Sequence, residues 1–299
     1  MKEFVKICKM NQGNLKEYVT NKLRATYSKV QVGNGFVYAQ GTMPVLLVAH
    51  LDTVHKELPR TILYDETTEA VSSPEGIGGD DRAGIYILLE IIKKFPCSVL
   101  FCEDEEIGAV GANKFVETKL AQTLNFNYII EFDRKGSNDA VFYDCNNPDF
   151  EEFITKDFFK TAQGSFTDIS ILAPFFGCAA VNLSCGYYNA HTKDEYVVIP
   201  EMLTVIEEAC AILERTTEND IFEYIESEDG WDWRSHDCSE GYYIIEYEDE
   251  RGDTQWFDTD AFSMEEAVGK FCIETLLPYT NIIDITDANL LHNVKEGIS

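Results

Sequence analysis

Basic residues are scarce in this chain. Its 299 residues include 24 lysines and arginines but 53 aspartates and glutamates, which gives a formal net charge of −29. A chain this acidic repels phosphate groups instead of attracting them, so the composition argues against a protein that binds nucleic acid.

Long apolar segments are also lacking. No apolar run approaches the roughly 20 residues that a membrane-spanning helix needs. The opening residues, MKEFVKICKM, contain neither an uninterrupted apolar stretch nor a small-residue cleavage site, so we expect no signal peptide. The composition therefore predicts a protein without a membrane partner.

The cysteines form no CxxC pair, and their number, nine, is odd. This usage fits reduced, buried thiols better than a disulfide framework, and it predicts a cytoplasmic location. Hydrophobic residues make up 45% of the chain and charged residues 26%, which is ordinary for a folded protein and unlike a disordered one.

Short apolar runs alternate with segments of helical periodicity through the first part of the chain. The predicted strands are Val45–Ala49, Ser98–Cys102, Tyr128–Glu131 and Ala179–Leu183, and the predicted helices are Ala83–Lys94, Val110–Lys119 and Glu201–Glu214. Strands that are apolar throughout are typical of a sheet buried on both faces. The sequence therefore predicts an α/β fold with a mostly parallel, mixed sheet sandwiched by helices.

The composition changes near residue 216. Residues 218–299 contain 22 acidic and 4 basic residues and all three tryptophans. We therefore predict a catalytic domain over residues 1–216 and a small, acidic α+β domain over residues 217–299. The second would hold a hairpin around Arg251–Asp253, a helix capped by Ser263 and Glu266, and a strand at Ile282–Ile285. We favour a solvated appendage that packs on the catalytic domain. Alternatively, its charge could repel misdirected partners, bind a basic protein or mimic nucleic acid.

Side chains that can bind metal follow three of the predicted strands. His50 and Asp52 come directly after the first strand, and residues two apart in extended chain share a face, so the Asp52 carboxylate can reach the His50 imidazole. The acidic run Glu103–Glu106 follows the second strand, and Asp133 follows the third. Ligands of open α/β sheets bind beyond the carboxyl ends of the strands, which is where these residues are expected.

Two more segments complete the pattern. The turn Gly78–Gly84 opens a helix, and its glycines allow the backbone to approach a small charged ligand toward which Asp80 would point. A later segment leads to His191. Taken singly, an acidic run is usually a solvated surface and a glycine-rich turn is usually only a turn. Together, two histidines and several carboxylates without cysteine suit two zinc ions that share a carboxylate.

With these motifs the chain resembles the co-catalytic zinc exopeptidases, the superfamily of peptidase T, its related dipeptidases and carboxypeptidases, and the aminoacylases. The resemblance covers residues 40–215 and is carried, in order and spacing, by the segments AHLDTV, GIGGDDRAG, CEDEEIGAVGA, EFDRKGS and NAHTKDEYV. It implies a hydrolase that holds two divalent metal ions, zinc in this superfamily.

The resemblance also implies a role for individual residues. The implied metal ligands are His50 and Asp133 for one ion, Glu106 and His191 for the other, and Asp80 for both. Asp52 would orient His50, and Glu105 would be the general base. The peptide bond between Asp80 and Asp81 would be cis.

Two segments leave the family pattern or fit it ambiguously. Only residues 134–163 separate Asp133 from Gly164, which is too short for the lid domain that many relatives insert there, so we predict that the lid is missing. The segment GSFTDISIL resembles a motif near the substrate site of relatives, yet Thr167 or Asp168 could equally cap a helix. The remaining histidines, His55, His236 and His292, are interpreted as ordinary surface or core residues.

The predicted function is metal-dependent hydrolysis of short peptides from a free amino terminus, by an aminopeptidase or a dipeptidase. In the resembling families the ligand at the position of Asp133 tends to be aspartate in aminopeptidases, and an acidic rim favours a protonated amino group over a carboxylate. Around the site, Arg82, Arg134 and Lys135 are the nearest cations in sequence. An N-acyl amino-acid hydrolase or carboxypeptidase, or an interaction protein without turnover, remains an alternative, and the oligomeric state is open.

Overall fold

A computed structural model describes residues 1–164, 166–226, 241–249, 251–261, 267, 270, 271, 275, 277 and 281–287. The chain divides into two compact units, one of residues 1–105 and 109–227 and the other of residues 106–108 and 228–299. Residues 217–226, which the sequence analysis assigns to the second domain, belong to the first unit. There Glu223 and Glu226 form isolated β-bridges with Cys178 and Cys145.

Most of the helices and strands lie in the larger unit. In chain order the elements are α1 (Lys2–Cys8), α2 (Gln12–Thr26), β1 (Val30–Gly33), β2 (Phe36–Ala39), β3 (Met43–His50), β4 (Leu63–Asp65), β5 (Ala70–Ser72), α3 (Gly79–Ile91), β6 (Cys97–Cys102), α4 (Val110–Val116), β7 (Tyr128–Arg134), β8 (Asp139–Val141), α5 (Pro148–Thr155), β9 (Lys160–Ala162), α6 (Ile169–Phe176), β10 (Ala180–Ser184), β11 (Tyr187–Tyr188), β12 (Tyr196–Val198), α7 (Ile199–Arg215), β13 (Gly241–Glu248), β14 (Thr254–Ala261) and β15 (Ile282–Asp287). The predicted strands and helices of the first part are all present, with ends that differ by a few residues.

The main sheet has eight strands in the order β1-β2-β6-β3-β7-β10-β8-β9. Its central strands β6, β3, β7 and β10 are parallel, as are β8 and β9, whereas β1 pairs with β2, β2 with β6, and β10 with β8 in antiparallel fashion. This arrangement confirms the predicted mixed, mostly parallel sheet.

Helices cover both faces of the sheet. Alternate residues of each central strand point to opposite faces, so they pack against different helices. In β3, Val45, Leu47 and Ala49 belong to one hydrophobic cluster, which includes residues of α1, α2, α3, α5 and α7. Leu46 and Val48 belong to a second cluster with residues of α4 and α6. Burial of every residue from Val45 to His50 explains why the strand reads as a continuous apolar run.

The chain between Asp133 and Gly164 adds two short strands and one helix to the larger unit. β8 and β9 extend the main sheet beyond β10, and α5 contributes Phe150 and Ile154 to its core. These residues therefore form part of the sheet and its covering layer, and they do not form a lid domain.

Two smaller antiparallel sheets complete the described part of the chain. One contains the strands β11-β12-β5-β4, and the other contains β14-β13-β15 in the smaller unit. The predicted hairpin around Arg251–Asp253 joins β13 to β14, and the predicted strand at residues 282–285 is part of β15. The predicted cap residues Ser263 and Glu266 lie outside the described residues.

The seven cysteines with a described environment are all free and buried, as their usage in the sequence predicts. Within the described part of the chain, no helix combines the length and the apolar character that crossing a bilayer requires.

Candidate metal centre

The candidate ligands gather at the carboxyl ends of the central strands. His50 is the last residue of β3, and Asp133 is the sixth residue of its neighbour β7. Asp80 and Asp81 lie in the first turn of α3 with non-helical backbone angles, and the peptide bond between them is cis, as the resemblance implied. The helix is kinked at this point, and the Asp80 side chain lies beside His50.

One group of possible metal ligands consists of His50, Asp80 and Asp133. The ligand atoms of these three side chains all lie within 4.8 Å of one another. His50 Nε2 lies 3.0 Å from Asp80 Oδ1 and 3.4 Å from Asp133 Oδ1. A fully buried imidazole therefore faces two carboxylate oxygens through one nitrogen.

A second group consists of Asp80, Glu106 and His191, whose ligand atoms also lie within 4.8 Å of one another. His191 Nε2 lies 3.2 Å from Asp80 Oδ2, the oxygen that does not face His50. The two oxygens of Asp80 thus point to two different histidines. This is the arrangement expected of a carboxylate that bridges two metal ions.

The ligand types fit zinc or a similar divalent ion. Each group offers one imidazole and two carboxylates, and neither contains a thiolate, which matches the nitrogen and oxygen sets of catalytic zinc sites. Within the described part of the chain, only these two groups bring three or more possible ligand residues this close together. The five residues are those that the resemblance names as metal ligands.

The charges of the site depend strongly on one another. Burial disfavours a charged His50, but the carboxylates of Asp133, Asp52 and Asp80 outweigh it and raise its pKa well above the ordinary value. Burial opposes ionisation of Asp80 as well, yet hydrogen bonds from His191 and His50 lower its pKa. For Asp133, burial and the nearby charge of Asp80 raise the pKa. A bound cation would compensate this concentration of carboxylates.

Asp52 connects a ligand to the loop that carries the glutamates. Its Oδ1 lies 3.1 Å from His50 Nδ1, the position expected of a carboxylate that fixes the tautomer of a metal-bound histidine. The same oxygen accepts a hydrogen bond from the backbone N–H of Glu105, with a distance of 3.0 Å. One carboxylate oxygen therefore orients His50 and fixes the main chain at Glu105, a second role that the sequence did not indicate.

Asp133 is held by residues that the sequence analysis left ambiguous or missed. Thr167 Oγ1 donates to Asp133 Oδ2 over 3.0 Å, and Tyr187 donates its hydroxyl to Oδ1 over 3.2 Å. Asp168 occupies the N-cap position of α6, but its side chain makes no capping hydrogen bond. It is fully buried, and burial raises its pKa to about 7. Thr167 therefore contacts a candidate metal ligand, and neither residue caps the helix through its side chain.

Asp81 and Arg82 support the backbone around the ligands. Asp81 accepts hydrogen bonds from the backbone N–H groups of His50 and Gly84, over 3.1 and 2.9 Å. The Arg82 guanidinium is buried and donates to the carbonyl oxygens of Leu51 and Asp52, over 2.8 and 2.9 Å. Arg82 therefore does not offer a free charge to a substrate, although it is close to the ligands in sequence.

Glu195 is a fully buried carboxylate that the sequence analysis did not select. Its Oε1 accepts a hydrogen bond from the backbone N–H of Asp80 over 2.9 Å, and its Oε2 lies 2.8 Å from His55 Nε2. His55 thus contacts the residue that supports Asp80. The sequence signal was weak, because Glu195 lies inside the NAHTKDEYV segment but 115 residues from Asp80.

Replacement of Glu195 by alanine is expected to destabilise the fold and weaken metal binding together. The variant loses a charge-assisted hydrogen bond to Asp80 and leaves His55 without its carboxylate, which should lower the free energy of unfolding by about 2–3 kcal/mol. Denaturant unfolding and zinc titration of the metal-free protein measure the two effects. The exposed Glu66→Ala variant is the control, and equal results for both variants would contradict the role of Glu195.

A comparison with protein families matches the part of the chain that holds four of the five candidate ligands. Residues 37–176 match the model of Peptidase family M28, a range that contains His50, Asp80, Glu106 and Asp133. The predicted resemblance to the co-catalytic zinc exopeptidases is confirmed. The family match supports metal-dependent peptide hydrolysis as the activity. A search of curated proteins finds no match to this chain.

Solved structures of similar fold include the aminopeptidase PepT from Bacillus cereus, with 14% sequence identity and a TM-score of 0.57 over 71% of this chain and 96% of that one. An aminopeptidase from the archaeon Desulfurococcus kamchatkensis is 14% identical with a TM-score of 0.54, over 74% of this chain and 97% of the other. Glutaminyl cyclase from Tannerella forsythia is also similar, with 14% identity and a TM-score of 0.53 over 72% and 96% of the two chains. At these identities the likeness establishes the fold and leaves the reaction to be argued from the site.

Proposed function

We propose that this chain hydrolyses peptide bonds in short peptides from a free amino terminus, using two zinc ions. The observation that carries the proposal is the orientation of Asp80, whose two oxygens face two different histidines. His50, Asp80 and Asp133 would hold one ion, and Asp80, Glu106 and His191 the other. Bound zinc ions supply Lewis-acid chemistry, since they acidify a water molecule and polarise the scissile carbonyl group.

The remaining chemistry belongs to residues of the chain. Glu105 takes the proton from the attacking water and later gives it to the leaving amine. Its main chain is fixed by Asp52. With a metal ion bound, the same carboxylate would hold the imidazole proton of His50 on Nδ1 and leave the lone pair of Nε2 for the ion. Every residue with a role in this proposal lies within residues 1–216, the predicted catalytic domain.

The preference for an amino terminus rests on the charges around the site. A substrate carboxylate needs a cationic partner, but the Arg82 guanidinium is turned to backbone carbonyl oxygens and Arg134 is paired with Asp139. Of the three cations nearest to the site in sequence, Lys135 is left. Several carboxylates surround the centre, and this potential favours a protonated amino group over a carboxylate.

Paired peptide substrates test this preference. We expect the zinc-loaded protein to hydrolyse a short unblocked peptide at least about 10-fold faster than its N-acetylated counterpart, a difference of ~1.4 kcal/mol in transition-state stabilisation. The release of amino acids is followed by mass spectrometry, first with zinc and then with cobalt.

Each alternative function has its own outcome in this assay. Faster hydrolysis of the acetylated peptide would contradict the proposal. Release of acetate would then assign an N-acyl amino-acid hydrolase, and release of the last residue would assign a carboxypeptidase. A peptide that begins with glutamine is included as well, and its conversion to a pyroglutamyl peptide without cleavage would assign a cyclase. Binding of zinc without turnover of any peptide would favour an interaction protein.

A further inference from the structure

Helix α2 lies outside residues 37–176, yet it contacts the loop that carries the glutamates of the metal centre. Lys16 Nζ donates to Glu103 Oε2 and, over 2.9 Å, to the carbonyl oxygen of Gly33. One turn earlier, Gln12 Nε2 donates to Asp104 Oδ1 over 2.9 Å. These two contacts fix the two residues that directly precede Glu105.

The Lys16–Glu103 ion pair is largely removed from water. The exposed fractions of the two side chains are 19% and 15%. Glu103 Oε2 also accepts the backbone N–H of Gly35 over 3.0 Å, and the Glu103 N–H donates to the Gly35 carbonyl oxygen over 2.8 Å. A pair with this exposure is screened less by salt and solvent than a surface pair. Removal of Lys16 would leave the largely buried Glu103 carboxylate with one of these two donors, the Gly35 N–H.

The loop is too short to absorb a change at its beginning. Asp104 has a positive φ of 61°, and its carbonyl oxygen accepts the N–H of Val110, while the carbonyl oxygen of Glu105 accepts the N–H of Ala109. A displacement of Glu103 or Asp104 would therefore be transmitted to Glu105. Glu105 itself is held by Asp52, which accepts a hydrogen bond from the backbone N–H of Glu105.

The N-terminal segment also contacts the strand end that carries His50 and Asp52. The carbonyl oxygen of Met10 accepts a hydrogen bond of 3.3 Å from Arg82 Nη2, and Nη1 of the same guanidinium donates to the carbonyl oxygens of Leu51 and Asp52. The helix itself is firmly docked, because Leu15, Val19 and Leu23 are fully buried in the main core. The helix and Met10, which lies just before it, can therefore act as a rigid support for both parts of the centre.

We propose that α2 positions the loop of Glu105 and Glu106, with Lys16 and Gln12 as the positioning residues. The inference deepens the proposed function and rests on the roles given there to the two glutamates. The helix holds Glu103 and Asp104, Asp52 holds the next residue, and together they set the place of the general base and of one metal ligand. Small displacements of such groups cost about 10- to 100-fold in activity or metal affinity.

Replacement of Lys16 by methionine tests the proposal, because it keeps the length and apolar contacts of the side chain and removes its charge. We expect kcat to fall about 10-fold or more while KM changes less than about 2-fold. Zinc titration of the metal-free protein by calorimetry should show one of two binding steps weakened by about 10-fold, with the other step unchanged. Lys16→Arg should restore both values in large part.

Lys22→Met is the matched control, since Lys22 lies on the same helix and pairs with Glu3 at the surface. It should leave kcat and the zinc titration at the values of the unmodified chain. A lower melting temperature of Lys16→Met with unchanged kcat and zinc binding would overturn the proposal and leave a merely structural ion pair. If Lys16→Met does not fold, Gln12→Ala, which removes only the contact with Asp104, serves for the same measurements with the same criteria.

The design separates this inference from the proposed function. If the unmodified chain binds no zinc, both fail. If it binds zinc but hydrolyses no peptide, the proposed function fails, and the zinc titration alone still decides whether Lys16 supports the loop. If it does both and Lys16→Met behaves as the unmodified chain, only the positioning role fails.

Discussion

Replacement of Asp80 by alanine is expected to abolish the binding of both metal ions and to reduce peptide hydrolysis to the level of the metal-free protein. The reason is geometric, because Asp80 Oδ1 faces His50 and Oδ2 faces His191. A single substitution therefore removes one ligand from each group. It also removes the negative charge that would lie between two dications, so two ions at these positions would repel each other without compensation.

Elemental analysis after reconstitution with zinc measures this effect directly. The unmodified chain should contain two zinc ions per molecule, and Asp80→Ala should contain close to none. Asp80→Asn keeps the size of the side chain and guards against misfolding as the cause, and Asp65→Asn on the exposed strand β4 is the control for a lost carboxylate. Retention of two tightly bound ions by Asp80→Ala would contradict a bridging role.

Replacement of Glu105 by glutamine is expected to lower kcat by about 10²- to 10⁴-fold while both metal ions stay bound, because the amide has almost the same shape but cannot accept the proton. The adjacent substitution, Glu106→Gln, should behave differently. Glu106 belongs to one of the two ligand groups and Glu105 belongs to neither. Loss of the Glu106 carboxylate should therefore weaken one zinc-binding step and lower activity mainly at low zinc concentration.

The two glutamate variants control for each other, since they share a loop and change charge by the same amount. Measurement of kcat at saturating zinc, together with the zinc content of each protein, separates the two roles. If Glu105→Gln loses metal and Glu106→Gln loses only turnover, the assignment of the pair is reversed. Full activity of Glu105→Gln would contradict the proposed mechanism altogether.

The meeting of His50, the Glu103–Glu106 run and Asp133 at one edge of the sheet could be predicted because it follows from local rules. Residues after a buried parallel strand lie at the carboxyl edge of its sheet, which placed His50, the Glu103–Glu106 run and Asp133 together without knowledge of their contacts. The contact between His50 and Asp52 follows from the two-residue repeat of extended chain, and the structure places Asp52 Oδ1 3.1 Å from His50 Nδ1.

The supporting residues could not be predicted because their contacts join distant parts of the chain. Glu195 binds the backbone of Asp80 across 115 residues, and Gln12 reaches Asp104 across 92 residues. Arg82 is one of the cations nearest to the site in sequence, but its guanidinium is buried among backbone carbonyl oxygens. Which partner a buried charge meets depends on how helices dock on the sheet, and a single sequence does not encode this in a local pattern.

The proposed cap of α6 illustrates the same limit at short range. Thr167 and Asp168 have the residue types of a helix N-cap, and Asp168 does occupy that position. Tertiary contacts nevertheless turn the Thr167 hydroxyl to Asp133 Oδ2. A sequence pattern gives the preference of a residue, and the neighbours that folding brings to it decide which hydrogen bond is made.

Anomalous X-ray diffraction at the zinc absorption edge, on crystals of the zinc-loaded chain, shows directly whether each ligand group holds a zinc ion. We expect two anomalous peaks about 3.5–4 Å apart, one among His50, Asp80 and Asp133 and the other among Asp80, Glu106 and His191. Absence of a peak in either group, or zinc bound only at other residues, would contradict the two-zinc centre.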